Sequence, residues 1–176
     1  MHPTHQPAVE VADQAAANVA VFVDLTPADV LRGAAGYLRR HGFHQGDMFA
    51  TAVSLTPPAC AQGAVKMAIC GSAYTNWTMA QSALFDLTMA VLAGRVGLPY
   101  DWDADPFTDK DPAGPADWVA DWNDATERTV EQVITAMTTA ADDWDHITLV
   151  TAQLAAYLPP DNDGEAEADP TQSGTR

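Results

Sequence analysis

Lysine is nearly missing from this chain: only Lys66 and Lys110 occur in 176 residues. With six arginines the cations number eight, against 24 Asp and Glu, for a formal net charge of -16. The imbalance is uneven: residues 1–100 carry five basic and six acidic side chains, and residues 101–176 carry three basic and eighteen acidic. A surface of that sign repels a phosphate backbone, which disfavours direct nucleic-acid binding and makes basic proteins or cations the natural complement. The same charge also keeps a small protein soluble.

Other absences narrow the class. No apolar run reaches the roughly 18 residues that a membrane span requires. Met1 to Pro7 lack the basic stretch and apolar run of a secretory signal. The two cysteines, Cys60 and Cys70, are too few for a disulfide framework. These features together predict a cytoplasmic protein with reduced thiols and no membrane partner. There is no serine elbow, phosphate loop or dinucleotide fingerprint; Gly71-Ser72 is none of these.

What the chain does have is small apolar side chains. Apolar residues make up 47%, much of it alanine, which favours helix. The length is that of one domain. Val9, Ala12, Ala16, Val19 and Ala20 predict a helix over 8–22, although Val19 to Val23 also reads as strand. Thr26, Pro27 and Asp29 then open a second helix, with Val30, Leu31, Ala34, Ala35 and Leu38 on one stripe and Gly42 at its end. Gly33 and Gly36, costly inside a helix, point to close approach of a neighbour.

Residues 43–57 read as a loop or short hairpin. The Pro57-Pro58 pair is expected to open a third, small-sided central helix running to about Ile69. A fourth starts at Asn76 or Thr78 and runs to about Val96, with Ala80, Ala83, Leu84, Leu87 and Val91 as its expected buried face. Pro115 begins a short helix carrying Trp118 and Trp122. Thr129 and Gln132 form a capping-box pattern ahead of a helix over about 130–145. Residues 147–158 return as helix or extended chain. The resulting fold class is all-α: five or six helices in a single domain. The flexible N-terminus is 1–7, the helical domain 8–158, and the disordered acidic tail 159–176.

Two stretches carry a resemblance. One runs from Leu31 through Gly42-Phe43-His44-Gln45-Gly46 to Cys60-Ala61-Gln62-Gly63-Ala64. The other is Trp122-Asn123-Asp124-Ala125 through Arg128-Thr129. Their order and spacing resemble a family of small helical proteins of unassigned function from high-GC Gram-positive bacteria and their phages. The similarity covers about residues 27–145. It implies a helical fold and a phage or host-bacterial setting, and it implies no activity and no role for His44.

Several residue sets invite chemistry. Asp101, Asp103, Asp105 and Asp109 imitate a calcium loop. Pro106 stands where the sharp turn needs Gly, and Pro112 stands where a bidentate Glu is needed. His41, His44, Cys60 and Cys70 are zinc-binding types without the spacing of a closed site. No metal or cofactor is therefore expected. Cys60 has only Pro58, Ala59 and Ala61 around it in sequence, with no local activator for a thiolate. Trp122, Asn123, Asp124 and Arg128 read first as a structural loop: Trp122 anchors, Asn and Asp bond turn backbone, and Arg128 pairs with Asp124 or covers carbonyls.

The leading functional expectation is a small acidic interaction protein, phage-encoded, that binds a host protein with a basic surface. Trp102 and Trp118 would be the aromatic anchors, with Asp117, Asp121 and Asp124 steering. No catalytic residue is assigned under it. Two alternatives stand beside it. One is a nucleic-acid mimic that blocks a basic DNA-binding protein. The other is a hydrolase or thiol enzyme using His44, Asp47 and Cys60.

Overall fold

A computed structural model of the chain describes residues 25–51, 54–98 and 114–157. The expected first helix over 8–22, the aspartate loop with Trp102, and the tail from 159 lie outside them. Among the described residues there are five helices and no strand: α1 Pro27–His41, α2 Ala61–Cys70, α3 Met79–Arg95, α4 Pro115–Asp124 and α5 Val130–Tyr157. The fold is all-α.

Each helix start has a local cause. The Thr26 hydroxyl accepts from the Asp29 N–H at 3.2 Å, and the Asp29 carboxylate accepts from the Thr26 N–H at 3.1 Å. The Thr26 hydroxyl also donates to the Asp29 carboxylate at 2.7 Å, and this bond, with the one from the Thr26 N–H, holds the Asp29 carboxyl below its ordinary range. Thr78 with Gln81 and Thr129 with Gln132 repeat the reciprocal pattern at α3 and α5. Gly42 ends α1 at φ 96°, ψ 160°, a conformation outside the left-handed helical region expected for it and open in practice to glycine alone.

α2 begins at Ala61, later than the Pro57-Pro58 pair foretells. Ala59 and Cys60 are held extended. Ala59 bridges both Phe43 and Phe49, and its N–H donates to the Gly42 carbonyl at 3.2 Å. Cys60 therefore caps the helix, its sulfur accepting from the Gly63 N–H at 3.5 Å.

The core forms where α2 meets α1, α3 and α4. Leu31 and Leu38 of α1, Ile69 of α2, Met89 and Leu92 of α3, Val119 of α4, and Val133 and Met137 of α5 are all fully buried. Gly33 permits the α1–α2 approach: a Cβ there would sit 3.3 Å from the Ala68 Cβ. Gly36 has no such role, since the nearest atom to a Cβ there is the tip of Arg40 at 3.6 Å.

The expected inner face of α3 needs correction. Phe85, Thr88, Met89, Leu92 and Ala93 are buried, whereas Ala80, Ala83 and Leu87 are exposed and Leu84 and Val91 are half-buried. The stripe is turned by one residue because α3 is apolar on nearly every side, so its periodicity does not select a face. Trp77 decides the matter, packing edge-on against Phe85 with ring centroids 4.9 Å apart.

The long C-terminal helix also differs from expectation. It does not stop near 145, because no glycine or proline interrupts 130–157. The chain divides into two units, 1–145 and 146–176. In the second unit the described residues are the last turns of α5, where Ile147, Leu149, Val150, Leu154 and Tyr157 are exposed. No helix among the described residues is long and apolar enough to cross a membrane.

Candidate functional site

Three distant segments meet at Asn123. Its side chain is 1% exposed, and its Oδ1 accepts from the Ala61 N–H at 3.0 Å. That N–H is one of the donors at the start of a helix that no helical carbonyl can satisfy. The Asn123 amide nitrogen donates to Asp124 Oδ1 at 2.7 Å, and the same oxygen accepts from the Gly46 N–H at 3.0 Å. Gln45 completes the joint, donating to the carbonyls of Asn123 at 2.8 Å and Ala125 at 3.1 Å. The Asp124 carboxylate thus offsets its unfavourable place at the C-terminal, negative end of α4.

The joint also explains Gly63. A Cβ at that position would overlap the Met48 carbonyl, the group that accepts from the Cys60 N–H at 3.0 Å. Gln62 ties the same helix to α4 by donating to the Ala116 carbonyl at 2.7 Å. The sequence alone assigns no role to Gln45 or Gly63. Both lie inside the quoted motifs, and that position is the one signal pointing to them.

Arg128 makes a carbonyl contact, one of the two roles expected for it. Its guanidinium lies 4.1 Å from the Trp122 ring centroid, and its Nε donates to the Trp122 carbonyl at 3.0 Å. No Arg128–Asp124 pair occurs among the described residues. Trp122 itself is half-buried against the core, as an anchor should be.

His44 and Asp47 lie on the segment whose backbone bonds Ala59 and Cys60, the His44 N–H donating to the Ala59 carbonyl at 2.9 Å and the Cys60 N–H to the Met48 carbonyl at 3.0 Å. No side-chain hydrogen bond or ion pair joins His44, Asp47 and Cys60 among the described residues. Cys60 is buried, and its thiol is pushed above the ordinary range chiefly by desolvation. A thiol so placed is a poor source of thiolate. Among the described residues no three His, Cys, Asp or Glu side chains gather as a metal site.

Of the residues singled out for partner binding, Asp117, Asp121 and Asp124 are exposed and Trp118 is half-buried. The Trp118 indole N–H is buried with no hydrogen-bond partner among the described residues. Asp117 and Asp121 stand one turn apart on α4. No salt bridge among the described residues involves either, the cations Arg32 and Arg95 being engaged with Asp142, Asp145 and Asp143.

Beside the joint an open groove of about 620 Å³ runs between the end of α3 and the first turns of α5. Arg95, Gly97, Trp122, Arg128, Gln132 and Thr135 are among the residues lining it.

Comparisons with curated proteins and with solved structures give no match. Residues 23–143 match the profile of a family of unknown function, DUF6197, and the whole Asn123 joint falls inside that span. With more than half of its length matched, the chain belongs to the DUF6197 family, whose function is unknown.

Proposed function

We propose that this protein acts by binding a basic protein partner, not by catalysis. The observation that carries the reading is the carboxylate pair Asp117 and Asp121 on the exposed side of α4, with which no cation among the described residues pairs. Like charges at that spacing cost a helix about 0.2–0.5 kcal/mol. Asp117 recovers part of this from the helix dipole, being in the first turn; Asp121 does not. A cationic partner would relieve the repulsion and be steered towards it.

The fate of the other reactive side chains supports the same reading. Cys60 caps α2, and Asn123 and Asp124 hold backbone groups. Trp118, next to Asp117 in sequence, is half-buried and so keeps part of its surface open. Asp124 contributes less than Asp117 and Asp121, because its Oδ1 already accepts two hydrogen bonds. Trp102, set between Asp101 and Asp103 in sequence, is kept in this proposal as a second anchor.

The test compares wild type with the Asp117→Asn, Asp121→Asn double variant as baits in one bacterial lysate. Salt is raised from about 0.1 M to about 1 M, which shortens the Debye length from about 10 Å to about 3 Å. A protein captured by wild type and lost both in the variant and at high salt supports the reading. Capture indifferent to both changes removes α4 from the binding face.

A further inference from the structure

We propose that the groove beside Trp122 binds a small organic anion carrying a phosphate or carboxylate group. It stands apart from the acidic α4 pair and does not depend on it. Its volume of about 620 Å³ lies within the range of about 300–1,000 Å³ typical of ligand pockets.

Charge is the first reason. The described residues hold six lysines and arginines, and two of them, Arg95 and Arg128, line this one groove. In a chain of net charge -16 that convergence gives the groove two of the few cations available. Beyond about 8 Å at physiological ionic strength the acids elsewhere are largely screened. An anion inside the groove therefore responds mainly to its lining and to Asp143, which it must displace from Arg95.

Preorganisation is the second. Arg128 is fixed by the Trp122 ring and by its Nε bond to the Trp122 carbonyl. A guanidinium held in this way loses little freedom when it engages an oxyanion. Among the described residues the one ion pair of Arg95 is a 3.7 Å contact to Asp143, loose enough for it to turn towards a ligand.

The remaining donors agree. Gln132 Oε1 is taken up by the Thr129 N–H and the Arg128 guanidinium, which leaves its amide NH₂ as the group to offer. The Thr135 hydroxyl adds another donor. A site rich in donors selects a ligand rich in acceptors. Val96 and Ala136 supply apolar lining for an organic body. Glu131, the one carboxylate of the lining, disfavours heavily charged polyanions.

The probes are phenyl phosphate and benzoate, with benzyl alcohol as the neutral control, each titrated into the full chain. Amide chemical shifts of Gly97 and Thr135 are followed by nuclear magnetic resonance. The expected result is saturable shifts with at least one anion and none with the alcohol. The tighter of the two anions identifies the headgroup. Arg95→Gln should weaken binding about tenfold with unchanged thermal stability, and Thr135→Val, at an exposed position, should weaken it less. Absence of saturable shifts with either anion overturns the proposal. So does an equal response to the alcohol, or unchanged affinity in both variants.

Discussion

The Asn123 side chain satisfies the Ala61 N–H at 3.0 Å across 62 residues of sequence. The bond is buried, so removing the acceptor leaves a desolvated donor with nothing to replace it. That costs about 1–3 kcal/mol. Asn123→Ala should lower unfolding free energy by about 2 kcal/mol in urea titration, an amount within the range for a lost buried hydrogen bond. Asp124→Asn, at an exposed position that keeps an oxygen for Gly46, should lose less.

Two glycines separate space from propensity. Gly63→Ala pushes a Cβ into the Met48 carbonyl, so the loop or α2 must move. The expected loss is about 1–3 kcal/mol. Gly36→Ala meets nothing closer than the flexible end of Arg40 and should gain about 0.5–1 kcal/mol from helix propensity. Thermal unfolding of the two variants should move in opposite directions, and a shared direction would contradict the packing described around Met48.

The helix caps are legible in sequence because they are local. Thr26, Thr78 and Thr129 each announce a helix through residues three positions apart. The all-α class follows from the same signals. The inner face of α3 is not legible, since alanine, leucine and valine surround that helix and the tertiary partners, Trp77 among them, choose between its sides. Trp122 stands in the last turn of α4 and Arg128 just beyond it, and the acceptor of Arg128 is the Trp122 carbonyl, one of the two kinds of partner its sequence context allows. The joint itself is hidden from the sequence, because Gly46, Ala61 and Asn123 touch only after α2 and α4 have packed.

Burial makes Cys60 a pH-dependent contributor. Its native pKa is raised, so the folded state holds the thiol proton more tightly than the unfolded chain does. The stability it contributes is complete below the unfolded thiol value of about 8.5 and is lost as pH rises through the native value. Cys60→Ser keeps a capping side chain without that titration. Wild type should therefore lose more stability than Cys60→Ser between about pH 8 and pH 10, a window set by the unfolded thiol value. Native Cys60 should also resist iodoacetamide at pH 8, and rapid labelling there would contradict its buried, protonated state.

The motif residues Cys60, Asn123 and Asp124 tie backbone groups of separate segments together and so hold the fold. Native-state hydrogen exchange at the single amide of Ala61 tests it most directly. The account predicts strong protection of that amide in wild type. In Asn123→Ala its exchange should accelerate beyond the change in global stability, while amides in the middle of α1 follow the global value. An Ala61 amide that exchanges freely in wild type, or is equally protected without the Asn123 side chain, would contradict the claim.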